Sequence, residues 1–221
     1  MAYMIQFHRP DGKTCDAYYV EPEVGSSAPG VVVIQEWWGL NDQIKGVADR
    51  LAAEGYRAMV PDLYRGNVTL DAAEANHLMS ELDFTDASSN DIAGAVHYLN
   101  HDGGKVGVVG FCMGGALSIL SAIQTEADCA SSWYGIPPEE AGDVSQIHMP
   151  VQGHFALQDS FFTPAMADAV EEKLIAAGLS HEFYRYDAGH AFGNETGSAY
   201  DPESTRTAWI RTLDFFSRYL G

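Results

Sequence analysis

An α/β three-layer sandwich, a doubly wound, mostly parallel sheet with helices on both faces, is the fold class this sequence predicts. Three observations carry it. Short runs of consecutive apolar residues, Val31-Val32-Val33-Ile34 and Val106 to Val109, suit strands covered on both faces. Strand-like and helix-like stretches alternate through the second half and much of the first, which calls for parallel pairing. Lys105 to Leu120, KVGVVGFCMGGALSIL, reads as a buried strand turning sharply into a helix, with Gly110, Gly114 and Gly115 leaving room at the turn. No internal repeat, low-complexity tract or long linker divides the 221 residues, so residues 1–221 are expected to form a single domain.

The elements follow in order. Residues 3–9 and 14–20 are expected strands around the Pro10-Asp11-Gly12 turn. Glu21 to Pro29 is a polar connection. The Val31 to Ile34 strand runs into Gln35-Glu36-Trp37-Trp38-Gly39. Asn41 or Asp42 caps a helix with Ile44, Val47, Ala48 and Leu51 inward, closed by Gly55. Tyr56 to Val60 is a strand stopped by Pro61. A helix is predicted over 71–82, with few apolar residues, and a second over 90–100 with Ile92, Val96 and Leu99 on one face. Beyond the central strand and its helix come strands at Cys129 to Tyr134 and Met149 to Phe155. Thr163-Pro164 opens a helix with Met166, Val170 and Leu174 inward. His181 to Tyr186 is the last strand. Asp201-Pro202 caps a final helix with Trp209, Leu213, Phe216 and Leu220 inward.

Composition narrows the function. Apolar content of 46% and 11% aromatic residues fit a globular chain. A formal charge of −19 would repel nucleic acid and anionic membrane, so neither is an expected partner. The three cysteines, Cys15, Cys112 and Cys129, are far apart and include no C-x-x-C, which excludes a disulfide framework and a zinc site. The N-terminus has no signal-peptide pattern and no window approaches a membrane span, so a reducing cytoplasm is expected.

The chemistry centres on Gly110-Phe111-Cys112-Met113-Gly114. This G-x-C-x-G spacing pushes one side chain, a thiol, out at the carboxyl end of the sheet, at a helix N-terminus whose dipole favours a thiolate. A thiol nucleophile needs a base, and the base an orienting acceptor. His190, in the loop after the last strand, and Asp159, just past an earlier strand, supply them in the order nucleophile, acid, histidine. Asp187 is a rival acid because it is close to His190 in sequence. His154, at a strand end, reads as a hydrogen-bonded wall residue. The remaining histidines show no metal-ligand spacing. Glu36, directly after a buried strand, is expected at the site; pairing with an arginine such as Arg65 is the alternative. The backbone N–H groups of Trp37 and Met113 are the expected oxyanion hole. Trp37, Trp38, Phe111, Trp133 and Tyr134 suggest aromatic walls, with Trp38, Phe111, Tyr134 and Asn194 as substrate contacts.

The chain resembles the dienelactone hydrolase family, that of carboxymethylenebutenolidase, within the α/β-hydrolase superfamily. The matching pieces are QEWWG at Gln35 to Gly39, PDLY at Pro61 to Tyr64, KVGVVGFCMGGAL at Lys105 to Leu117, LQD at Leu157 to Asp159 and GHAFGN at Gly189 to Asn194. The resemblance implies an α/β-hydrolase fold and a Cys112-His190-Asp159 triad. It also implies that Glu36 contacts the resting thiol, and that an ester or lactone is hydrolysed through an acyl-enzyme without metal or organic cofactor. Enzymes of the family that take dienelactone hold its carboxylate with arginines. This chain carries Asn194 at one such position and no Lys or Arg between Arg65 and Lys105, leaving Arg206 as a substitute only if its helix faces the site. The expectation is therefore a small neutral ester or lactone, handled by a monomer or weak homodimer. A thioesterase or acyl transferase on the same triad, or a non-catalytic ligand-binding relative, are the alternatives.

Overall fold

The computed structural model describes residues 1–221 apart from Val24, in the polar connection read at Glu21 to Pro29, and Asp102. Its strands are β1 (Ala2–His8), β2 (Thr14–Val20), β3 (Gly30–Ile34), β4 (Arg57–Pro61), β5 (Val106–Phe111), β6 (Cys129–Trp133), β7 (Val151–Ala156) and β8 (His181–Tyr186). They form one eight-stranded sheet in the order β1-β2-β4-β3-β5-β6-β7-β8. The β1–β2 hairpin and its junction with β4 are antiparallel; every pairing from β4 to β8 is parallel. The helices are α1 (Asp42–Ala53), α2 (Ala72–Glu81), α3 (Phe84–Asp86), α4 (Ala93–Leu99), α5 (Met113–Gln124), α6 (Pro164–Ala176) and α7 (Pro202–Leu220). Among the described residues, no helix is long and apolar enough to cross a membrane.

Alternation along the central strands produces the layers, because successive side chains point to opposite faces. Val32, Ile34, Val106 and Val108 pack with Ile92 and Val96, with Leu117 and Leu120 of α5, and with Ala167, Val170 and Leu174 of α6. Val31, Val33 and Val109 point the other way, onto Ile44, Val47 and Leu51 of α1 and Phe215, Phe216 and Leu220 of α7. Asn41 caps α1 by accepting from the Ile44 N–H at 3.1 Å.

Three helical expectations are corrected. The helix expected over 90–100 begins earlier: Asp83 caps α3, and a π-helical segment, Ala87–Ile92, carries the chain into α4. Its buried Ser88 and Asp91 break the apolar period from which the start was read. Asp91 is buried because it ion-pairs with Arg9 at 3.0 Å and Arg65 at 2.8 Å, tying this segment to the hairpin and to the loop after β4. On α6 the inward residues are Ala167, Val170 and Leu174, and Met166 is exposed. On α7 Phe215, Phe216 and Leu220 are buried, whereas Trp209 and Leu213 are half-buried at the edge of the face.

The parallel strands deliver their carboxyl ends to one rim. Ile34 pairs with Gly110, Phe111 with Trp133, and Trp133 with His154. The loops leaving β3, β5, β7 and β8 therefore start side by side, where ligands lie in open parallel sheets.

Candidate active site

The elbow after β5 is set by close packing. Cys112 has φ 54° and ψ −117°, a left-handed φ that non-glycine residues seldom adopt. The turn is tight because α5 starts at once, and a Cβ on Gly114 would lie 2.5 Å from the carbonyl oxygens of Ile34 and Gln35. A Cβ on Gly110 would collide with the Gly114 carbonyl. Glycine at these two positions is what lets the strand turn while the thiol points out.

His190 and Asp159 reach this thiol from two other strand ends. His190 Nε2 lies 3.1 Å from Cys112 Sγ, and His190 Nδ1 lies 2.7 Å from Asp159 Oδ2. The other Asp159 oxygen, Oδ1, accepts from the Phe161 and Phe162 N–H groups at 2.8 and 3.0 Å. A carboxylate fixed in this way requires the imidazole to donate from Nδ1, which leaves Nε2 free to accept the thiol proton. The rival Asp187 accepts instead from the Gln158 amide at 2.8 Å. Burial pushes the Cys112 thiol up, and the Glu36 charge adds to it; the Met113 N–H opposes both. Desolvation thus outweighs the helix N-terminus, correcting the expectation of a favoured thiolate. Among the described residues, the hydrogen-bond partner of the Cys112 sulfur is His190 Nε2.

Glu36 is buried behind the thiol. Its Oε2 accepts from Asn194 Nδ2 at 2.7 Å and its Oε1 from the Tyr134 hydroxyl at 3.2 Å. Burial raises its pKa, and the Asn194 amide, the His190 charge and the Tyr134 hydroxyl pull it back in that order. The implied Glu36 contact with the resting thiol is not the arrangement found: the carboxylate bonds to Asn194 and Tyr134, and the thiol to His190. Arg65, the alternative partner for Glu36, is engaged by Asp91.

These groups open into a cavity of about 300 Å³, lined in part by Glu36, Trp37, Trp38, Cys112, His190 and Asn194. Of the expected aromatic wall, only Trp37 and Trp38 face it. Phe111, Trp133 and Tyr134 are buried beneath, packed on one another with ring centroids 5.2–6.3 Å apart. Phe111 and Tyr134 are therefore corrected from substrate contacts to packing residues, because their side chains leave the strand ends into the layer under the site. Asn194 does reach the cavity, but its amide is spent on Glu36. His154 is wholly buried, bonded to Tyr186, Gln152 and Thr212, and burial drives its pKa to about 3. It does not line the cavity, so the expected wall residue is corrected to a neutral packing residue beneath the site. The mouth is built by residues the sequence reading did not single out: Phe161 and Phe162, and Asn76 and Met79 on α2. Two adjacent aromatics, separated from Asp159 only by Ser160, were the available signal. For α2 it was the shortage of core-facing residues, since only Ala75 is fully buried there.

No lysine or arginine occurs among the described residues that line the cavity. Arg206 is exposed on α7 and does not contribute. Among the described residues, no group of three or more His, Cys, Asp or Glu side chains could hold a metal ion.

Comparison with known proteins decides the family. The model of the dienelactone hydrolase family matches residues 15–220. This chain belongs to that family, and with it to the carboxylic ester hydrolases. It is 33% identical to protein usf of Aquifex pyrophilus, with both chains covered in full. It is 31% identical to carboxymethylenebutenolidase 1 of Cupriavidus pinatubonensis, covering 96% of this chain and 95% of the relative. Among solved structures, a dienelactone hydrolase-like promiscuous phosphotriesterase from metagenomic libraries superposes with a TM-score of 0.87 at 25% identity, over 100% of this chain and 99% of that one. The α/β-hydrolase fold extends to more distant esterases, such as one from Pyrococcus furiosus at a TM-score of 0.74 and 13% identity, over 100% of this chain and 94% of that one.

Proposed function

We propose that this chain hydrolyses small uncharged esters or lactones through an acyl-enzyme on Cys112. The observation that carries the reading is the unbroken relay from Cys112 Sγ to His190 to Asp159 at the floor of a cavity with no lysine or arginine among its described lining residues.

The sulfur attacks the ester carbonyl carbon while the thiol proton passes to His190 Nε2. Proton transfer accompanies attack because burial disfavours a free thiolate. Asp159 holds the imidazole in the tautomer that can accept, and stabilises the cation that forms. The N–H groups of Trp37 and Met113 receive the oxyanion. Collapse breaks the ester C–O bond, and His190 returns its proton to the departing alkoxide. His190 then takes a proton from water, whose hydroxide attacks the thioester; the C–S bond breaks, the acid leaves, and the sulfur regains the proton.

The substrate class follows from charge. A buried substrate carboxylate needs a cationic partner. Here the described lining holds no lysine or arginine, and Glu36 and the overall charge of −19 would repel it. A phosphotriester, the substrate class named for one structural neighbour, is likewise an uncharged ester. Hydrolysis of a nitrophenyl acyl ester should be abolished by Cys112→Ala and by prior iodoacetamide treatment. It should exceed hydrolysis of a matched carboxylate-bearing lactone. Activity that survives either thiol block removes Cys112 from the reaction; faster turnover of the anionic lactone overturns the substrate class.

A further inference from the structure

We propose that Asn194, itself held by Thr196, is a positioning residue: with Tyr134 it parks the Glu36 carboxylate so that Cys112 pairs with His190 before any substrate arrives. This rests on the acyl-enzyme reading above and adds to it a residue that controls when the thiol is available.

The geometry is a clamp with fixed polarity. Asn194 Nδ2 can only donate, and it donates to Glu36 Oε2 at 2.7 Å. The amide cannot turn over, because its Oδ1 already accepts from the Thr196 N–H at 3.0 Å and the Thr196 hydroxyl at 2.7 Å. Tyr134 donates to the other carboxylate oxygen. The clamp therefore accommodates an ionised carboxylate, and a proton on Oε2 would break its shorter bond. The consequence reaches the thiol. A carboxylate freed from these donors would be a buried acceptor beside Cys112, competing with His190 for the S–H proton. Held as it is, Glu36 is oriented toward Asn194 and Tyr134, and the thiol pairs with the imidazole.

The charged and titratable groups acting on Glu36 are Asn194's neighbour Glu195, which pushes its pKa up, and His190, which pulls it down; Tyr134 donates to it, and Cys112 feels its charge. Because burial raises the Glu36 pKa and Asn194 is the largest opposing influence, loss of the amide raises it further. The acid limb of kcat/KM should then move to higher pH, since the clamp holds only above that titration.

The experiment compares wild type with Asn194→Ala and Thr196→Val. Thr196 is exposed, so T196V tests the clamp without disturbing the core. N194A should lower kcat roughly tenfold or more, the scale of one lost hydrogen bond to a charged group, with KM little changed. Its acid limb should shift upward, and T196V should do the same to a smaller degree. Iodoacetamide labelling of Cys112, followed by mass in the absence of substrate, should slow in the same order. Unchanged pH profiles and labelling rates in both variants would overturn the clamp. Labelling needs no turnover, so it separates the two claims: hydrolysis persisting in Cys112→Ala defeats the acyl-enzyme, whereas unperturbed labelling in N194A and T196V defeats the clamp alone.

Discussion

The floor of the cavity and its mouth are built by different means. The floor consists of strand ends: Cys112 follows β5, Asp159 β7 and His190 β8, and Glu36 follows β3. Each is buried or half-buried and held by at least one hydrogen bond. The mouth consists of α2 and the loops after Asp159 and Asn194, and its Phe161 is 67% exposed. Positions on the floor are set by sheet register, in which a small displacement would misalign three groups together. Positions at the mouth are set by local packing that can change without touching the sheet. The proposed reaction rests on the first region, and the second shapes the approach to it.

Asp159→Asn would break this division most sharply. It keeps the shape but removes the acceptor that sets the His190 tautomer, so kcat should fall on the order of a thousandfold or more with KM nearly constant, as steady-state kinetics would show. A loss below tenfold would mean that the imidazole is oriented by something else. The Asn194 and Thr196 variants come next, because they act on the floor through one intermediate residue. Phe161→Ala should be the mildest. Its ring is largely solvated and covers only the rim, so KM for a bulky acyl ester should rise about threefold, with kcat for acetyl esters unchanged. A large kcat effect there would erase the contrast between mouth and floor, because it would mean that Phe161 supports His190, whose ring lies 5.2 Å away.

The same contrast explains what was legible beforehand. Strands β3 and β5 were readable because continuous apolar runs and bounding Gly and Pro residues are local signals. Gly110, Gly114 and Cys112 were readable because the turn leaves no room for other residues. His190 and Asp159 followed from order along the chain. Pocket-facing and core-facing aromatics were not separable. Phe111 and Trp133 sit at strand ends like the site residues, but their rings turn under the sheet rim, a matter of tertiary packing. The Ala87–Ile92 segment was hidden because buried Asp91 finds its partners in Arg9 and Arg65, from distant parts of the chain. The Glu36–Asn194 bond joins residues 158 positions apart, beyond the reach of any local pattern.

An acyl group on Cys112 is the central claim, and trapping it is the most direct test. The enzyme would be mixed with a nitrophenyl ester, quenched in acid within the first turnovers, digested and analysed by mass spectrometry. The expected result is a burst of nitrophenol and the acyl mass on the peptide bearing Cys112, present in wild type and lost in Cys112→Ala. A burst with the acyl mass on another residue, or steady hydrolysis in Cys112→Ala at the wild-type rate, would contradict it.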